Sequence, residues 1–271
     1  MNEKIAFIGV GNMAHAIING ILKNSSDFTS NDIILYDKFP SQLADYPSIK
    51  AASSASDAVK NADFVVFAVK PQNFDELLNE LKNSSIDYKS KTFITIAAGI
   101  SCEYIQSYLP NAAVVRAMPN TPMLIGAGVC SVCKNEYVSE KNFKTAFALF
   151  SALGVAFELD ESKMNAIISL TSSSPAYIFL FIKSLMDGAV LQGLEFKDEN
   201  EMRRIACETV IGSAKLLMNS EKSPEQLIKD VTSPGGTTAE AMKVFYEAEF
   251  EKTVHEAMKA CTRRAEELSG K

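Results

Sequence analysis

The run Ile5-Ala-Phe-Ile-Gly9-Val-Gly11-Asn12-Met13-Ala14 decides the fold. Lys4–Ile8, apolar from Ile5 on, reads as a strand, and the pattern from Met13 to Leu22 reads as a helix. Between them lies G-x-G-x-x-A, a fingerprint that carries information only when a strand precedes it and a helix follows. Each residue type has a reason. Gly9 permits the tight turn, Gly11 lets backbone come close to a pyrophosphate, and Ala14 allows close packing of helix on strand. Asn12 and Met13 open the helix, where unpaired N–H groups and the positive end of the dipole face an anion. These five residues are the expected cradle of a dinucleotide.

Outward from this run, short apolar strands alternate with helices. Strands are expected at Asp32–Tyr36, Phe64–Val69, Thr92–Ile96 and Ala113–Arg116. Helices are expected at Ser53–Lys60, Asn73–Leu81 and Cys102–Tyr108. Continuous apolar runs suit parallel strands covered on both faces. The βαβα order predicts a doubly wound, mostly parallel α/β sheet of the Rossmann type. A short strand around Val129, a helix over Lys141–Leu153 and a strand at Val155–Leu159 complete residues 1–160 as the dinucleotide-binding domain. Residues 161–271 show no strand pattern and are expected to be all helical. Ser172-Ser-Ser-Pro175 reads as a helix start. The helix after it, Ala176–Leu191, is apolar nearly all round, so a second subunit is expected to cover it. A further helix spans Glu199–Met218. The stripe Met242, Phe245, Tyr246, Phe250, Val254, Met258, Cys261, Ala265 and Leu268 predicts one more after Gly236.

In such sheets ligands sit outside the carboxyl ends of the strands. The second strand ends on Asp37-Lys38. Asp37 suits the ribose hydroxyls of NAD, whereas Lys38 suits the 2′-phosphate of NADP, and a solvated loop pair is the plain alternative. Later strands end on Ala68-Val69-Lys70-Pro71 and Ala97-Ala98-Gly99, where small residues leave room for the nicotinamide and its ribose. Lys70 is held extended by the proline after it, and a surface lysine is its plain reading.

Composition removes other classes. With 27 Lys+Arg, 33 Asp+Glu and a net charge of −6, the chain is acidic and has no basic run, so nucleic acid is not an expected partner. Lys183, Ser184, Asp187 and Gln192 interrupt the most membrane-like stretch, so no membrane is expected either. The N-terminus lacks a signal-peptide pattern. Five cysteines, an odd number, fit reduced thiols in the cytoplasm. Cys130-x-x-Cys133 lies in a strand-like run, where residues three apart face opposite sides. With only two histidines in the chain, no metal site is expected.

The most distinctive loop is Val231-Thr-Ser233-Pro-Gly-Gly236-Thr237-Thr238. Pro234 fixes a dihedral, and Gly235-Gly236 can take positive φ. Successive N–H groups and two hydroxyls would make a nest for a carboxylate. A helix start capped by Thr237 or Thr238 is the alternative.

Taken together, these segments resemble the pyrroline-5-carboxylate reductases, collinearly over essentially the whole chain. The likeness runs through IAFIGVGNMA, FAVKPQ at Phe67–Gln72, TIAAGI at Thr95–Ile100 and RAMPNTP at Arg116–Pro122. It continues through SSPAY at Ser173–Tyr177, GSAK at Gly212–Lys215 and SPGGTT at Ser233–Thr238. The resemblance implies NADPH- or NADH-dependent reduction of 1-pyrroline-5-carboxylate to proline, the last step of proline synthesis. It also implies a homodimer, in many relatives built further into a decamer, with a helical dimerisation domain. Asn120, within RAMPNTP, joins the expected cofactor set. Ser233, Gly236, Thr237 and Thr238 form the substrate set. The N–H groups of Gly236, Thr237 and Thr238 would hold the carboxylate. The Thr238 hydroxyl would bond near the imine nitrogen. Ser172 stands where the family usually has Gly, a change expected to alter the backbone freedom of that loop.

Two other classes compete. A hydroxy acid dehydrogenase would need a general acid, normally His or Lys. His15 and His255 lie in helices outside the candidate loops, and Lys163 and Lys183 lie in none of the quoted motifs. A catalytically silent nucleotide-binding regulator would keep the fold alone.

Overall fold

The computed structural model describes residues 3–24 and 28–269. They fall into two compact units. One runs up to Ser173 and takes in Ala260 onward; the other is Ser174–Lys259.

The first unit is built on eight strands: β1 Ile5–Ile8, β2 Ile33–Tyr36, β3 Lys50–Ala51, β4 Phe64–Phe67, β5 Thr92–Thr95, β6 Ala113–Met118, β7 Gly128–Lys134 and β8 Gly154–Glu158. Their order in the sheet is β3-β2-β1-β4-β5-β6-β7-β8. Every pairing is parallel except β6 with β7. The order reverses between β1 and β4, the point at which such sheets open a crevice for ligands. Helices α1 Asn12–Asn24, α2 Ala55–Lys60, α3 Phe74–Lys82, α4 Cys102–Tyr108, α5 Glu140–Ser151 and α6 Met164–Leu170 cover the faces. One core packs Phe7, Ile17, Ile21, Val66, Val115 and Phe150 together. The other packs Ile8, Val65, Phe67, Phe74, Phe93 and Ile105. Strands β1 and β4 are buried along their whole length, which accounts for their unbroken apolar runs.

Cys130 belongs to the first of these cores, and Cys133 lies on the opposite face with Met118, Met164, Ile168 and Ala265. Burial holds the Cys130 thiol above the ordinary thiol range. The neighbouring Cys133 thiol, and then burial, do the same for Cys102.

The second unit contains α7 Ser174–Leu191, α8 Glu199–Met218, α9 Pro224–Asp230 and α10 Thr237–Glu247; α11 follows over Phe250–Ser269. The single long helix expected after Gly236 is therefore two. Glu249 sits between them at φ +49°, in the left-handed region, and ends the ladder. The apolar stripe continues across the break, so periodicity alone reads it as one helix. Helix α9 and the two-residue β3 are additions to the sequence reading. The strands end by Glu158, near the boundary expected at 160, whereas the compact units part at Ser173 and Ser174.

Candidate active site

At the reversal between β1 and β4 lies a cleft of about 630 Å³. Gly9, Gly11 and Asn12 line it from the turn after β1; Tyr36, Asp37, Lys38 and Phe39 do so from the end of β2. Ala68, Val69 and Lys70 follow β4, and Glu76 and Glu80 reach in from α3.

The two glycines differ in their demands. Gly9 has φ +91°, and a Cβ there would come within 2.9 Å of the Ala68 backbone, so the turn itself excludes a side chain. A Cβ on Gly11 would meet nothing within 4 Å. Only something occupying the cleft would exclude it. The Gly11 carbonyl accepts the His15 N–H at 2.9 Å, which makes Gly11 the residue before α1 and leaves the first N–H groups of that helix to the cleft. Ala14 is fully buried, and Met13 packs on the core, so these two serve through backbone and packing.

The end of β2 is already paired. The Asp37 carboxylate accepts the Val10 N–H at 2.7 Å and the Phe39 N–H at 2.8 Å, so it braces the glycine turn. Lys38 Nζ bonds Glu76 at 3.0 Å. Glu80 accepts from the Ser56 N–H and hydroxyl, each at 2.9 Å. Glu76 and Glu80 were not apparent in the sequence as site residues. Their i, i+4 spacing marks a helix face, but not which strand end that face meets.

Pro71, Ala97, Ala98, Gly99 and Asn120 follow the carboxyl ends of β4, β5 and β6 without lining this cleft. Gly99 has φ +80°, and a Cβ on it would meet Leu268 at 2.9 Å. Its smallness serves the end of α11. Asn120 is committed at both ends of its amide: Nδ2 donates to the Thr171 carbonyl at 3.0 Å, and Oδ1 accepts the Val129 N–H at 2.8 Å. It ties the end of β6 to β7 and to the end of α6. Ser172 has no positive φ, and its hydroxyl donates to the Pro119 carbonyl at 3.2 Å. A side chain at that position is accommodated without backbone strain.

In the second unit, Gly235 takes φ +70°, and Gly236 is the residue that caps α10, with no side-chain cap. Neither threonine caps the helix. Thr237 and Thr238 occupy its first two positions. The Gly236 N–H donates to the Ser233 carbonyl at 3.0 Å, so one of three donors expected to face a carboxylate is already used. The Thr237 and Thr238 N–H groups head the helix, where the backbone offers no acceptor. A Cβ on Gly236 would fall 2.4 Å from the Ser233 hydroxyl.

Comparison with known proteins agrees over the full length. Residues 161–268 match the family described as pyrroline-5-carboxylate reductase dimerisation, and residues 4–99 match the one described as NADP oxidoreductase coenzyme F420-dependent. The pyrroline-5-carboxylate reductase of Escherichia coli is 36% identical over 273 residues, with 99% of each chain covered. That of Haemophilus influenzae is 37% identical, with 98% of each covered. Among solved structures, the Plasmodium falciparum pyrroline carboxylate reductase with NADP bound superposes at TM-score 0.90. It is 28% identical and is covered over 98% of its chain, with 99% of this one. The Coxiella burnetii pyrroline-5-carboxylate reductase gives 0.85 at 32% identity, with 99% of each covered.

Proposed function

Because this chain belongs to the pyrroline-5-carboxylate reductase family, we propose that it reduces 1-pyrroline-5-carboxylate to proline with NADPH or NADH. The observation that carries this reading is the open Gly11 position within a full-length family match: a Cβ there would touch no protein atom and would intrude only on what enters the cleft. The dinucleotide supplies a hydride when bound, and the turn from Gly9 to Met13, with Ala68, Val69 and Lys70, would hold it.

The chain's own part is positioning. A cyclic imine is electrophilic once protonated, so the protein needs no strong base; it must hold the ring and its carboxylate in one orientation. The Thr237 and Thr238 N–H groups bind the carboxylate at the positive end of α10. The Thr238 hydroxyl bonds at the ring nitrogen. Gly235 and Gly236 shape the turn that frees those donors. Purified protein should oxidise NADPH or NADH only when 1-pyrroline-5-carboxylate is added. Turnover with a 2-hydroxy or 3-hydroxy acid pair instead, or cofactor binding without turnover, would replace this reading.

Cofactor choice lies at the rim. Asp37 repels a 2′-phosphate, and Glu76 occupies the Lys38 ammonium that would attract one. Asp37→Ser should therefore raise kcat/KM for NADPH relative to NADH. It should also lower the melting temperature, because the Val10 and Phe39 N–H groups lose a charged acceptor. A fixed cofactor ratio with a lowered melting temperature would make Asp37 a brace only.

Self-association completes the second unit. In a single chain α7 leaves Ile178, Phe179, Leu180, Phe181 and Leu185 exposed, and none of its residues is buried. Glu161–Leu191 is also long and apolar enough to cross a membrane by composition. The Lys183–Asp187 pair in mid-helix and the dimerisation match favour burial against a second copy. We propose a homodimer, open to assembly into a decamer, that works in the cytoplasm without membrane or nucleic acid. Ile178→Glu and Phe181→Glu should leave the lone chain little changed, since both positions are open there, yet should yield monomers or aggregates in light scattering. A clean dimer from both variants would remove α7 from the interface.

A further inference from the structure

On the face of the sheet away from Cys130, a second cluster lies outside the machinery described above. Cys102 opens α4, Cys133 lies on β7, and Glu161 stands just before α6. One ligand atom from each, two sulfurs and a carboxylate oxygen, lies within 4.8 Å of the other two. Both cysteines are buried, and Glu161 is half-buried, so the cluster has a solvent-facing side. The Cys102 N–H donates to Glu161 Oε1 at 2.8 Å and orients that carboxylate. Arg116, only 2% exposed, reaches the same oxygen at 3.5 Å. Its Nη2 donates to Asn165 at 2.7 Å, while its Nε has no hydrogen-bond partner.

We propose that Cys102, Cys133 and Glu161 form a binding site for a thiophilic divalent cation of the zinc class. Two thiolates and one carboxylate match borderline-soft ions, and a tetrahedral shell would draw the three ligand atoms together and be closed by water or by the second Glu161 oxygen. Hard ions such as Mg²⁺ and Ca²⁺ want oxygen ligands throughout and are not expected here.

The binding step conserves charge. Without metal, the buried set holds two neutral thiols, one carboxylate and one guanidinium. Binding M²⁺ breaks two S–H bonds, releases two protons to solvent and forms two M–S bonds, with no change of oxidation state. Two positive charges enter and two leave. The buried site keeps its net charge, and the Arg116 guanidinium becomes the counter-ion of an anionic M(S)₂(O) shell. Arg116 therefore does not repel the ion in sum, although it neighbours the carboxylate. The occupied site would clamp the start of α4 and β7 to the segment before α6.

The test uses full-length, freshly reduced, chelator-treated protein titrated with Cd²⁺, whose thiolate bonds absorb in the near ultraviolet. We expect a thiolate-to-metal band that saturates at one Cd²⁺ per chain. Cys133→Ser and Cys102→Ser should each abolish the high-affinity band. A Cys207→Ser/Cys261→Ser double variant should keep it. Zn²⁺ should then compete for the site and raise the melting temperature of the wild-type chain but not of Cys133→Ser, since a ligand of the folded state stabilises by mass action. Cys133→Ser is nearly isosteric and serves as the decisive variant if Glu161→Gln, which strips Arg116 of its carboxylate, fails to fold. Absence of a saturable band, a band that follows Cys207 and Cys261, or a band intact in both Cys102→Ser and Cys133→Ser overturns the proposal. None of these outcomes depends on turnover, so the site and the reductase reading stand or fall separately.

Discussion

Thr238→Ala is expected to lower kcat by about 10²–10³ while leaving cofactor affinity and melting temperature almost unchanged. One positioned hydrogen bond in a water-poor site is worth about 2–4 kcal/mol. A threonine that merely capped α10 would instead cost about 1 kcal/mol of stability and little rate. Gly236 is the capping residue and no side chain caps the helix, which counts against the second case. Thr238→Ser keeps the hydroxyl and should retain much of the rate. Thr237→Ala, one position earlier, is the internal control. Stopped assays and thermal melts on one preparation decide the matter. Normal turnover in Thr238→Ala would withdraw the residue from the chemistry.

Gly11→Val should reduce dinucleotide affinity by more than about 100-fold, measured by fluorescence titration, since charge-assisted hydrogen bonds to a pyrophosphate are worth about 1.5–3 kcal/mol each. The fold should survive. A Cβ at Gly11 meets no protein atom within 4 Å, so the substitution collides only with what enters the cleft. A small loss of stability, on the order of 1 kcal/mol, is expected from placing valine before a helix. Gly9→Val is a useful contrast. It drives a side chain against the Ala68 backbone and should unfold the turn itself. Unchanged titration by Gly11→Val would remove that residue from the site.

The parallel sheet was legible because its signals are local. Buried strands such as Phe64–Phe67 are apolar throughout, and the glycine fingerprint joins one strand to one helix. The site was legible only in part. Gly9, Gly11, Asp37, Lys38, Ala68, Val69 and Lys70 do converge on one cleft. Glu76 and Glu80 join them because β2 and β4 flank β1, a fact of sheet order that spacing along the chain does not carry. Gly99 and Asn120 show the opposite limit. Their motif positions suggest ligand contact, yet Gly99 yields room to Leu268 and Asn120 spends its amide on Thr171 and Val129. Small or polar residues at strand ends look alike in sequence whether a ligand or a neighbouring backbone needs them. The break at Glu249 escaped for a related reason: it interrupts the backbone while leaving the apolar stripe intact.

The return of the chain's last turns to the first unit has a consequence for biosynthesis. All eight strands have been synthesised by Glu158, yet the apolar patch of Met118, Cys133, Met164 and Ile168 gains Ala265 only when α11 arrives. Domains generally fold in order as they leave the ribosome. Here the first domain emerges with one seam open and must wait, through the whole of Ser174–Lys259, for its own closing piece. A ribosome that stalls or a protease that cuts within that interval leaves a complete sheet whose Met118, Cys133, Met164 and Ile168 lack Ala265 as a neighbour.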